Sequence, residues 1–195
     1  MGEPKGAPGA TSLRERSKAK RREAIRRAGM RLFAERGYEG ATIADIAEAA
    51  EVAPRTVSMY FPSKADIALS VAADVAGRLT AVFEARPGVS FLAAVDEWLT
   101  GEIEHLDPEL MALTAAMYEA NPALRSLSST EVADAAAVGG PAFAAEAGLP
   151  PEHPMTAVIG AAAGAAIAKY LTSGPDPDLH GPFMACLRAI TTAAS

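Results

Sequence analysis

The sequence predicts an all-α protein, and three observations support this class. Half of the 195 residues are apolar, but 45 residues are Ala, the strongest helix former, so β-branched residues do not dominate the apolar set. Apolar residues recur at helical spacing, and clusters of Pro and Gly separate the periodic segments. No segment shows the alternating pattern of a strand. The length suffices for one ordinary domain or two small ones.

The first predicted element comes after a tail. Residues 1–13 combine Gly, Pro and small polar residues without an apolar period, so we expect a flexible tail. Nine basic residues lie within residues 14–31, and apolar residues from Ile25 to Phe33 have the spacing of one helix face. This pattern predicts an amphipathic first helix. The helix is expected to end at Gly37, because glycine adopts the left-handed conformation that is common just past a helix.

Two short helices are predicted next. Thr42 and Asp45 match a capping box, in which the hydroxyl and the carboxylate satisfy each other's backbone N–H groups at a helix start. After a tight turn, Pro54 occupies the first position of a third helix, where proline is well tolerated, and this helix is expected to reach Tyr60. Ala53, which precedes Pro54, has no side-chain oxygen and therefore cannot cap the third helix.

The remaining chain is expected to be helical as well. A second capping box, Ser63 with Asp66, begins a fourth helix that is expected to reach residue 85. Pro and Gly clusters divide the C-terminal part of the chain into five further helices. These are predicted over residues 90–106, 109–119, 124–138 with a continuation to 147, 155–171 and 178–193.

The charge of the chain is unevenly distributed. Residues 1–64 contain 13 Lys and Arg against 8 Asp and Glu, a net charge of +5, whereas residues 65–195 contain 5 against 16, a net charge of −11. A small basic segment joined to a larger acidic one suggests that the basic segment binds a polyanion.

Two further features bear on the compartment of the protein. The single cysteine, Cys186, excludes an internal disulfide framework and any CxxC motif, which fits a reducing, cytoplasmic setting. The N-terminus has no apolar signal core, and the longest nearly uncharged apolar stretch, residues 155–168, is shorter than the roughly 18 residues that a membrane helix needs. We therefore expect a soluble protein without membrane contact.

The two short helices have the composition of a helix-turn-helix. Residues 26–69 resemble the DNA-binding domain of the TetR family of bacterial transcriptional regulators. The resemblance rests on Leu32-Phe33, Gly37-Tyr38, Thr42, Ile46-Ala47, Val52, Arg55-Thr56, Tyr60-Phe61 and Ser63-Lys64. It implies a helix-turn-helix domain over residues 14–64, a ligand-binding and dimerisation domain over residues 65–195, and a homodimer. It also implies a sequence-specific transcriptional regulator, usually a repressor that a small molecule releases from an inverted-repeat operator in double-stranded DNA.

Eight residues are predicted to contact DNA. Arg55 and Thr56 lie in the first turn of the third helix, where side chains enter the major groove and read bases. Tyr60 and Lys64 resemble the family's phosphate-binding pair, although Tyr60 also has the alternative role of a half-buried aromatic residue. The full set is Thr42, Pro54, Arg55, Thr56, Ser58, Met59, Tyr60 and Lys64.

Several of these assignments have a structural alternative. Thr42 could serve only as a helix cap. Val57 and Phe61, which are not among the predicted DNA contacts, are expected to face the core. The basic cluster of Lys18, Lys20, Arg21 and Arg22 either forms a solvated helix face or contacts phosphates. The charge of the N-terminal segment favours phosphate contact.

The last two helices are assigned to the dimer interface by the resemblance. Small residues dominate the first of them and allow close packing, either against the last helix or against its copy in a partner chain, and the resemblance decides for the dimer. The interface residues predicted on this basis are Gly160, Ala163, Gly164, Ile167, Leu187 and Ile190.

The ligand chamber is expected between the middle helices. Its candidate lining residues, each with ordinary core packing as the alternative, are Trp98, Met111, Met117, Tyr118, Phe143 and Phe183. Residues 117–125, MYEANPALR, and the helices after them resemble the C-terminal domains of actinobacterial TetR-like proteins with acyl-CoA-like ligands. Only five Lys and Arg come after Lys64, however, so an apolar or cationic ligand remains open and the effector's identity stays undefined.

Other functional classes receive less support. Glu102 and His105 share a helix face, but a single His among carboxylates more often belongs to a solvated surface, so no metal is expected. No cofactor is expected either. The chain lacks GxSxG, GxGxxG, P-loop and HExxH motifs, so an α-helical enzyme is the least favoured alternative. An effector-binding adaptor without operator binding is the other alternative to a regulator.

Overall fold

The computed structural model describes residues 13–86, 88–150, 152–172 and 176–192. These residues form eleven α-helices and no strand, which confirms the predicted all-α class. The helices are α1 (Leu13–Arg36), α2 (Ile43–Ala49), α3 (Pro54–Tyr60), α4 (Lys64–Ala68), α5 (Ser70–Ala85), α6 (Phe91–Glu104), α7 (Pro108–Ala120), α8 (Pro122–Ala137), α9 (Gly140–Glu146), α10 (Pro154–Thr172) and α11 (Pro177–Thr192).

The local signals at the helix ends act as predicted. Gly37 has a φ of 75° directly after α1. Thr42 and Ser63 both form complete capping boxes with the Asp three residues later, and Ala53 provides no side-chain cap to α3. The predicted tail lies outside the described residues except for Leu13, which begins α1.

Two predicted helices are each divided in the structure. The fourth predicted helix is interrupted at Leu69, with φ −93° and ψ −1°. The Ser70 hydroxyl there donates to the Ile67 carbonyl at 2.7 Å, and such a side-chain bond competes with the regular helical pattern. The second division separates α8 from α9 at Gly139, where a Cβ would lie 2.6 Å from the Phe83 ring. Glycine allows the aromatic ring to approach the backbone at this break.

The first four helices, which we call the head (residues 13–68), share one hydrophobic cluster. Its central residues, Ile25, Phe33, Ile46, Val57 and Ile67, are fully buried. The cluster continues into residues of α7 and α8, including Met117, Tyr118 and Leu124. The head is therefore packed directly against the second half of the chain.

A second hydrophobic cluster joins α5, α6 and α8–α11. Leu79, Leu99, Phe143, Ile167 and Leu187 are fully buried in it. We call this part of the chain, residues 70–192, the C-terminal domain. Its helices surround one core, as expected for a helical layer packing on helices.

Helix α10 combines length with a strongly apolar composition. Among the described residues, it is the helix whose Pro154–Leu171 window, with a mean hydropathy of 1.3, could cross a membrane by length and composition. The window reaches 18 residues because the helix continues past Lys169, beyond the shorter stretch predicted from the sequence. One third of this window is buried inside the protein, and core helices meet the same criteria.

Candidate nucleic-acid interface and ligand cavity

Helices α2 and α3 are connected by a tight turn. Glu51 in this turn has a φ of 54°, a left-handed conformation that is uncommon outside glycine. The Val52 N–H donates to the Ala47 carbonyl at 2.9 Å and ties the turn to α2. Pro54 then occupies the start of α3, so a new helix begins within a few residues of the end of α2.

Helix α3 presents one buried face and one exposed face. Val57 is fully buried, and Met59 is 71% exposed. Arg55 and Ser58 are also exposed, whereas Thr56 is half-buried. The side chains free to enter a DNA groove are therefore Arg55, Ser58 and Met59, and Thr56 lies at the edge of this surface.

The Thr42 hydroxyl is fully engaged with Asp45. It donates to the Asp45 carboxylate at 2.5 Å and accepts from the Asp45 N–H at 3.2 Å. The side-chain and backbone hydrogen bonds from Thr42 hold the pKa of Asp45 below its usual value. A phosphate contact by the Thr42 hydroxyl would require this hydroxyl to give up its bond to Asp45.

Lys64 is folded against the end of α1. Its ammonium group donates to the Tyr38 carbonyl at 2.8 Å and to the Ala41 carbonyl at 3.0 Å, and it lies 4.5 Å from the centre of the Tyr38 ring. Since an ammonium has three donors, one remains after these two bonds. The structure thus gives Lys64 an internal partner set that the sequence did not indicate.

The basic cluster of α1 divides into two groups. The Arg22 guanidinium donates twice to Asp74, at 3.0 Å each, and lies 5.1 Å from the centre of the Phe61 ring. Lys18 and Arg21, in contrast, are exposed and line a surface groove together with residues of α3.

This groove lies between the basic N-terminal part of α1 and helix α3. Met59 and Tyr60 form its α3 side, and Arg14 also lines it. Tyr60 is half-buried and packs against the hydrophobic cluster of the head. The geometry places the cations of Lys18 and Arg21 beside the exposed face of α3.

Ion pairs hold α1 to the C-terminal domain at two points. Arg26, which is 6% exposed, and Arg22 both bind Asp74 on α5. Burial opposes the ionisation of Asp74, but hydrogen bonds and charge from the two arginines outweigh it, so the pKa of Asp74 lies below its usual value. Arg27 pairs with Asp107, the N-cap of α7, and with Glu109.

Asn121 makes a third connection between α1 and the C-terminal domain. Its side-chain nitrogen donates to the Phe33 carbonyl at 2.9 Å and to the Met117 carbonyl at 2.8 Å. Its side-chain oxygen accepts from the Tyr38 N–H at 2.7 Å. One amide side chain therefore joins the C-terminal ends of α1 and α7.

A cavity of about 330 Å³ lies between α5, α6, α7, α8 and the end of α10. This volume is at the lower end of the range for small-molecule sites. Apolar side chains form most of its wall. They include Val71, Val75, Leu106, Met111, Val132 and Leu171.

Four polar side chains also line this cavity. Glu102 is bound to Arg78, with two hydrogen bonds of 2.5 and 2.8 Å. Thr114 donates to the Leu110 carbonyl at 2.7 Å, and Ser128 donates to the Arg125 carbonyl at 2.8 Å. The fourth, Tyr118, is 6% exposed, and its buried hydroxyl has no hydrogen-bond partner among the described residues.

The electrostatic environment of Tyr118 favours the neutral phenol. Burial raises the pKa of Tyr118, and the charge of Glu131 adds to this rise. A weak interaction with the Ser128 hydroxyl, which does not reach hydrogen-bond geometry, lowers the pKa of Tyr118 in part. Glu131 itself has a buried oxygen without a partner among the described residues, and burial together with the charge of Asp66 raises the pKa of Glu131. Tyr118 therefore offers a protonated hydroxyl beside a carboxylate.

The predicted ligand residues separate into different environments. Met111 and Tyr118 line the cavity. Met117 belongs to the cluster of the head, and Phe143 packs edge-on against Phe91 in the C-terminal core. The other two, Trp98 and Phe183, lie elsewhere.

Trp98 and Phe183 are placed apart from the cavity. Trp98 lines a separate surface groove between α5 and α6, and its ring nitrogen has no partner among the described residues. Phe183 stacks on Tyr170 with the ring centres 4.2 Å apart. No local pattern indicated that α5 or Ser128 would line the cavity.

The predicted dimer residues are mostly internal. Ala163, Ile167 and Leu187 are fully buried within the chain's own core. Gly164 faces α8, where a Cβ would lie 3.2 Å from the Ala133 carbonyl oxygen. Gly160 and Ile190 are half-exposed, and no atom lies within 4 Å of a Cβ built at Gly160.

The structure offers no metal site of three or more ligating side chains within the described residues. Glu102 is paired with Arg78, and the Nδ1 atom of His105 lies 2.8 Å from the Gly101 carbonyl oxygen. Both side chains thus have partners within their own surroundings.

Asp74 and Asn121 are the structurally important polar residues that sequence reasoning missed. Asp74 lies 48 residues from Arg26, and Asn121 lies 88 residues from Phe33. Neither spacing corresponds to a local motif. Two local features could have indicated these residues. Asp74 is a charged residue on a mostly apolar helix, and Asn121 directly precedes a proline.

Comparison with known proteins agrees with this architecture. Residues 25–71 match the family described as bacterial regulatory proteins, tetR family. The HTH-type transcriptional regulator TcmR of Streptomyces glaucescens is 31% identical over 129 residues, which cover 62% of this chain and 57% of TcmR. The match to this curated relative therefore spans little more than half of the relative's length.

Two solved structures share the fold along most of the chain. One, from Mesorhizobium loti, is described as a TetR-family transcriptional regulator and superimposes with a TM-score of 0.52 at 18% identity over 90% of this chain and 95% of that one. The other, from Shewanella sp. PV-4 and described in the same way, gives 0.51 at 19% identity over 89% and 97%. Residues 25–71 thus match the tetR family of bacterial regulatory proteins in sequence, and most of the chain shares the fold of these two structures.

Proposed function

We propose that the chain is a DNA-binding transcriptional regulator of the cytoplasm that acts as a homodimer and represses until an effector binds. The observation that carries this proposal is the exposed face of α3 beside the cations of α1. Arg55, Ser58 and Met59 are exposed on α3, and Lys18 and Arg21 line the adjoining groove. Base-reading side chains flanked by cations are what a DNA-binding surface requires.

Within this surface, the roles of the residues differ. Arg55 has the planar fork that pairs with guanine in the major groove, and Thr56 and Ser58 offer hydroxyls for secondary contacts. Pro54 sets the start of the helix, and Met59 offers apolar contact. Tyr60, Thr42 and Lys64 are proposed as phosphate contacts of lower weight, since Thr42 and Lys64 already have internal partners.

The phosphate contacts of the proposed complex extend along α1. Lys18 and Arg21 project beside α3 without the Asp74 partner that holds Arg22. Cations at such positions bind the backbone of DNA irrespective of sequence. They therefore supply affinity, whereas the α3 side chains supply sequence preference.

The proposed dimer uses the outer face of α10 and α11. Val158 is 59% exposed, and Ala161, Ala162 and Ala165 continue this face along α10. Exposed apolar surface that continues along a whole helix favours burial against a partner. Gly160, which lines a surface groove beside α8 and α9, and Ile190 on α11 are half-exposed and also belong to the proposed interface.

The effector is proposed to bind the cavity and to act through α7. One face of α7 lines the cavity with Met111 and Tyr118, and another contacts the head through Met117. Arg27 and Asn121 hold α1 to the two ends of α7. A ligand that binds one position of α7 more tightly would therefore change the position of the head and its DNA affinity.

A binding-site selection from random double-stranded DNA tests the proposal with the full chain. We expect enrichment of an inverted repeat whose half-site centres are separated by about 34–36 Å or a multiple of that distance. Sedimentation equilibrium at micromolar concentration should give twice the mass of the chain. Equal retention of all sequences would contradict the proposed regulator and would favour the adaptor alternative, while a single half-site with a monomeric mass would contradict the dimer.

A further inference from the structure

The cavity between α5, α6, α7 and α8 differs from an anion-binding site in its charges. None of its described lining residues is Lys, Arg or His. Glu102, the one carboxylate among these lining residues, is already bound through two hydrogen bonds to the cation of Arg78. An anionic ligand would therefore lose its hydration without gaining a charged partner, which is unfavourable.

The polar groups of the cavity indicate what kind of ligand it accepts. Thr114 and Ser128 donate their protons to backbone carbonyls, and the Glu102 carboxylate is neutralised by Arg78. Tyr118 is only 6% exposed, and its hydroxyl lacks a partner among the described residues. A buried phenol in an apolar wall carries a penalty that a ligand can remove by forming a hydrogen bond.

We propose that the cavity takes an uncharged, largely apolar ligand with a hydrogen-bonding group, and that the Tyr118 hydroxyl anchors this group. The inference rests on the proposed function, in which this cavity holds the effector. It argues against a ligand of the acyl-CoA class with its phosphates inside the cavity, because those phosphates would meet no cation among the described residues of this wall. Hydrogen-bonding geometry at Tyr118 supplies orientation, and the apolar wall supplies affinity.

Two fluorescent dyes with the same ring skeleton form the test. N-phenyl-1-naphthylamine is neutral and carries one N–H, and 1-anilinonaphthalene-8-sulfonate adds a sulfonate to the same rings. In titrations of the full-length protein, we expect the neutral dye to bind at least about tenfold more tightly than the sulfonate. Tyr118→Phe should weaken the neutral dye by about two- to tenfold, whereas Tyr170→Phe, outside the cavity wall, should leave its affinity unchanged.

Two filled variants locate the bound dye. Val75→Trp fills the wall from α5, and Ala112→Trp fills it from the exposed rim on α7, so the test survives if one variant fails to fold. Both are expected to abolish binding of the neutral dye while the melting temperature stays within the native range.

The outcomes separate the inference from the proposed function. Equal or tighter binding of the sulfonate, abolished by the filled variants, would leave the cavity as a ligand site but overturn the uncharged class. An unchanged affinity of Tyr118→Phe would overturn the anchoring role. Dye binding that neither filled variant reduces would overturn the cavity itself and the effector part of the proposed function.

Discussion

The head and the C-terminal domain reach a packed core by different means. In the head, short helices are set by caps and by large side chains such as Ile46, Val57 and Ile67, which are fully buried. In the C-terminal domain, α10 packs most extensively on α8, and Gly164 meets the backbone of Ala133. At these contacts the head relies on caps and bulky side chains, whereas α10 approaches α8 closely because Gly164 has no side chain.

The largest effect is expected on DNA binding, from a change at an exposed residue of the head. Arg55→Ala removes the guanidinium proposed to pair with guanine, so operator binding should weaken by about 1–3 kcal/mol per half-site and one position of each half-site should lose its preference. A binding-site selection with the variant measures both. Ser58→Ala is the matched control on the same helix face, and we expect a smaller loss from it. Selection of the unchanged sequence by Arg55→Ala would remove base reading from this residue.

Substitution of two glycines on α10 tests how closely this helix packs against its neighbours in the C-terminal domain. A Cβ at Gly164 would lie 3.2 Å from the Ala133 carbonyl oxygen and 3.3 Å from the Ala133 Cα, whereas a Cβ at Gly160 meets no atom within 4 Å. Gly164→Leu should therefore lower the free energy of unfolding by about 1–3 kcal/mol or more. Gly160→Leu should preserve the fold and weaken the proposed dimer.

The two glycine variants need separate measurements. Denaturant unfolding reports the fold, and sedimentation equilibrium reports the dimer. If Gly160→Leu unfolds the chain or Gly164→Leu leaves its stability unchanged, the internal packing of α10 against α8 is not as the structure shows.

These pairs show why the sequence predicted the head better than the C-terminal domain. Thr42 with Asp45 and Pro54 are local signals, since each acts within a few residues of the chain. The direction in which Gly164 faces depends on α8, which begins about 40 residues earlier in the chain. Any neighbouring helix can pack on a face of small residues, so the sequence does not specify which helix does. Small residues on α10 do allow a close helix contact, as predicted. The helix that makes this contact at Gly164 is α8, which no local sequence signal indicates.

The residues of the candidate site also divide into those that local sequence patterns predict and those that depend on tertiary packing. The orientation of Val57 towards the core is predicted by helical spacing, and the structure confirms it. Tyr118 was named among six candidates without a means to distinguish it from Met117, since both occur at helical spacing. Both pack into the hydrophobic cluster of the head, but of the two only Tyr118 also lines the cavity. This difference depends on where α1 packs against α7, which is a tertiary property.

The junction between the two regions is expected to be sensitive to acid. The pKa of Asp74 is lowered in the folded protein, so its stabilising effect is complete above the ordinary Asp value of about 3.9 and is lost as pH falls through the folded value. Asp74→Asn should lower the free energy of unfolding by about 2 kcal/mol at pH 7, because Arg26, whose side chain is 7% exposed, then keeps only the ion pair with Glu23 at 3.5 Å. The deficit should shrink near pH 3.

Urea unfolding at pH 7 and pH 3 measures this difference. Glu97→Gln is the control, because its pair with Arg86 is exposed on both sides and exposed pairs contribute little. A deficit at Asp74 that is equal at both pH values would show that the ion pair does not support the junction.

Asn121 tests the connection at the other end of α1. Asn121→Ala removes three hydrogen bonds and leaves the Tyr38 N–H without its acceptor, so we expect a stability loss of about 1–2 kcal/mol. Asn121→Asp keeps an acceptor for Tyr38 but loses the two donated bonds, and should fall between wild type and Ala. Thermal unfolding of the three proteins checks this order, and equal melting temperatures would exclude a structural role for the amide.

The smallest expected effect distinguishes two kinds of cation in the head. Lys64 donates to the Tyr38 and Ala41 carbonyls, so Lys64→Ala should cost about 1 kcal/mol of stability and change the salt dependence of DNA binding little. Lys18→Ala should instead lower the slope of log affinity against log salt by roughly one per contact, about two for a dimer, at unchanged stability. Binding measured at two salt concentrations compares the variants. An equal loss of slope in Lys64→Ala would show that the third donor of this ammonium binds phosphate, as the family resemblance implies.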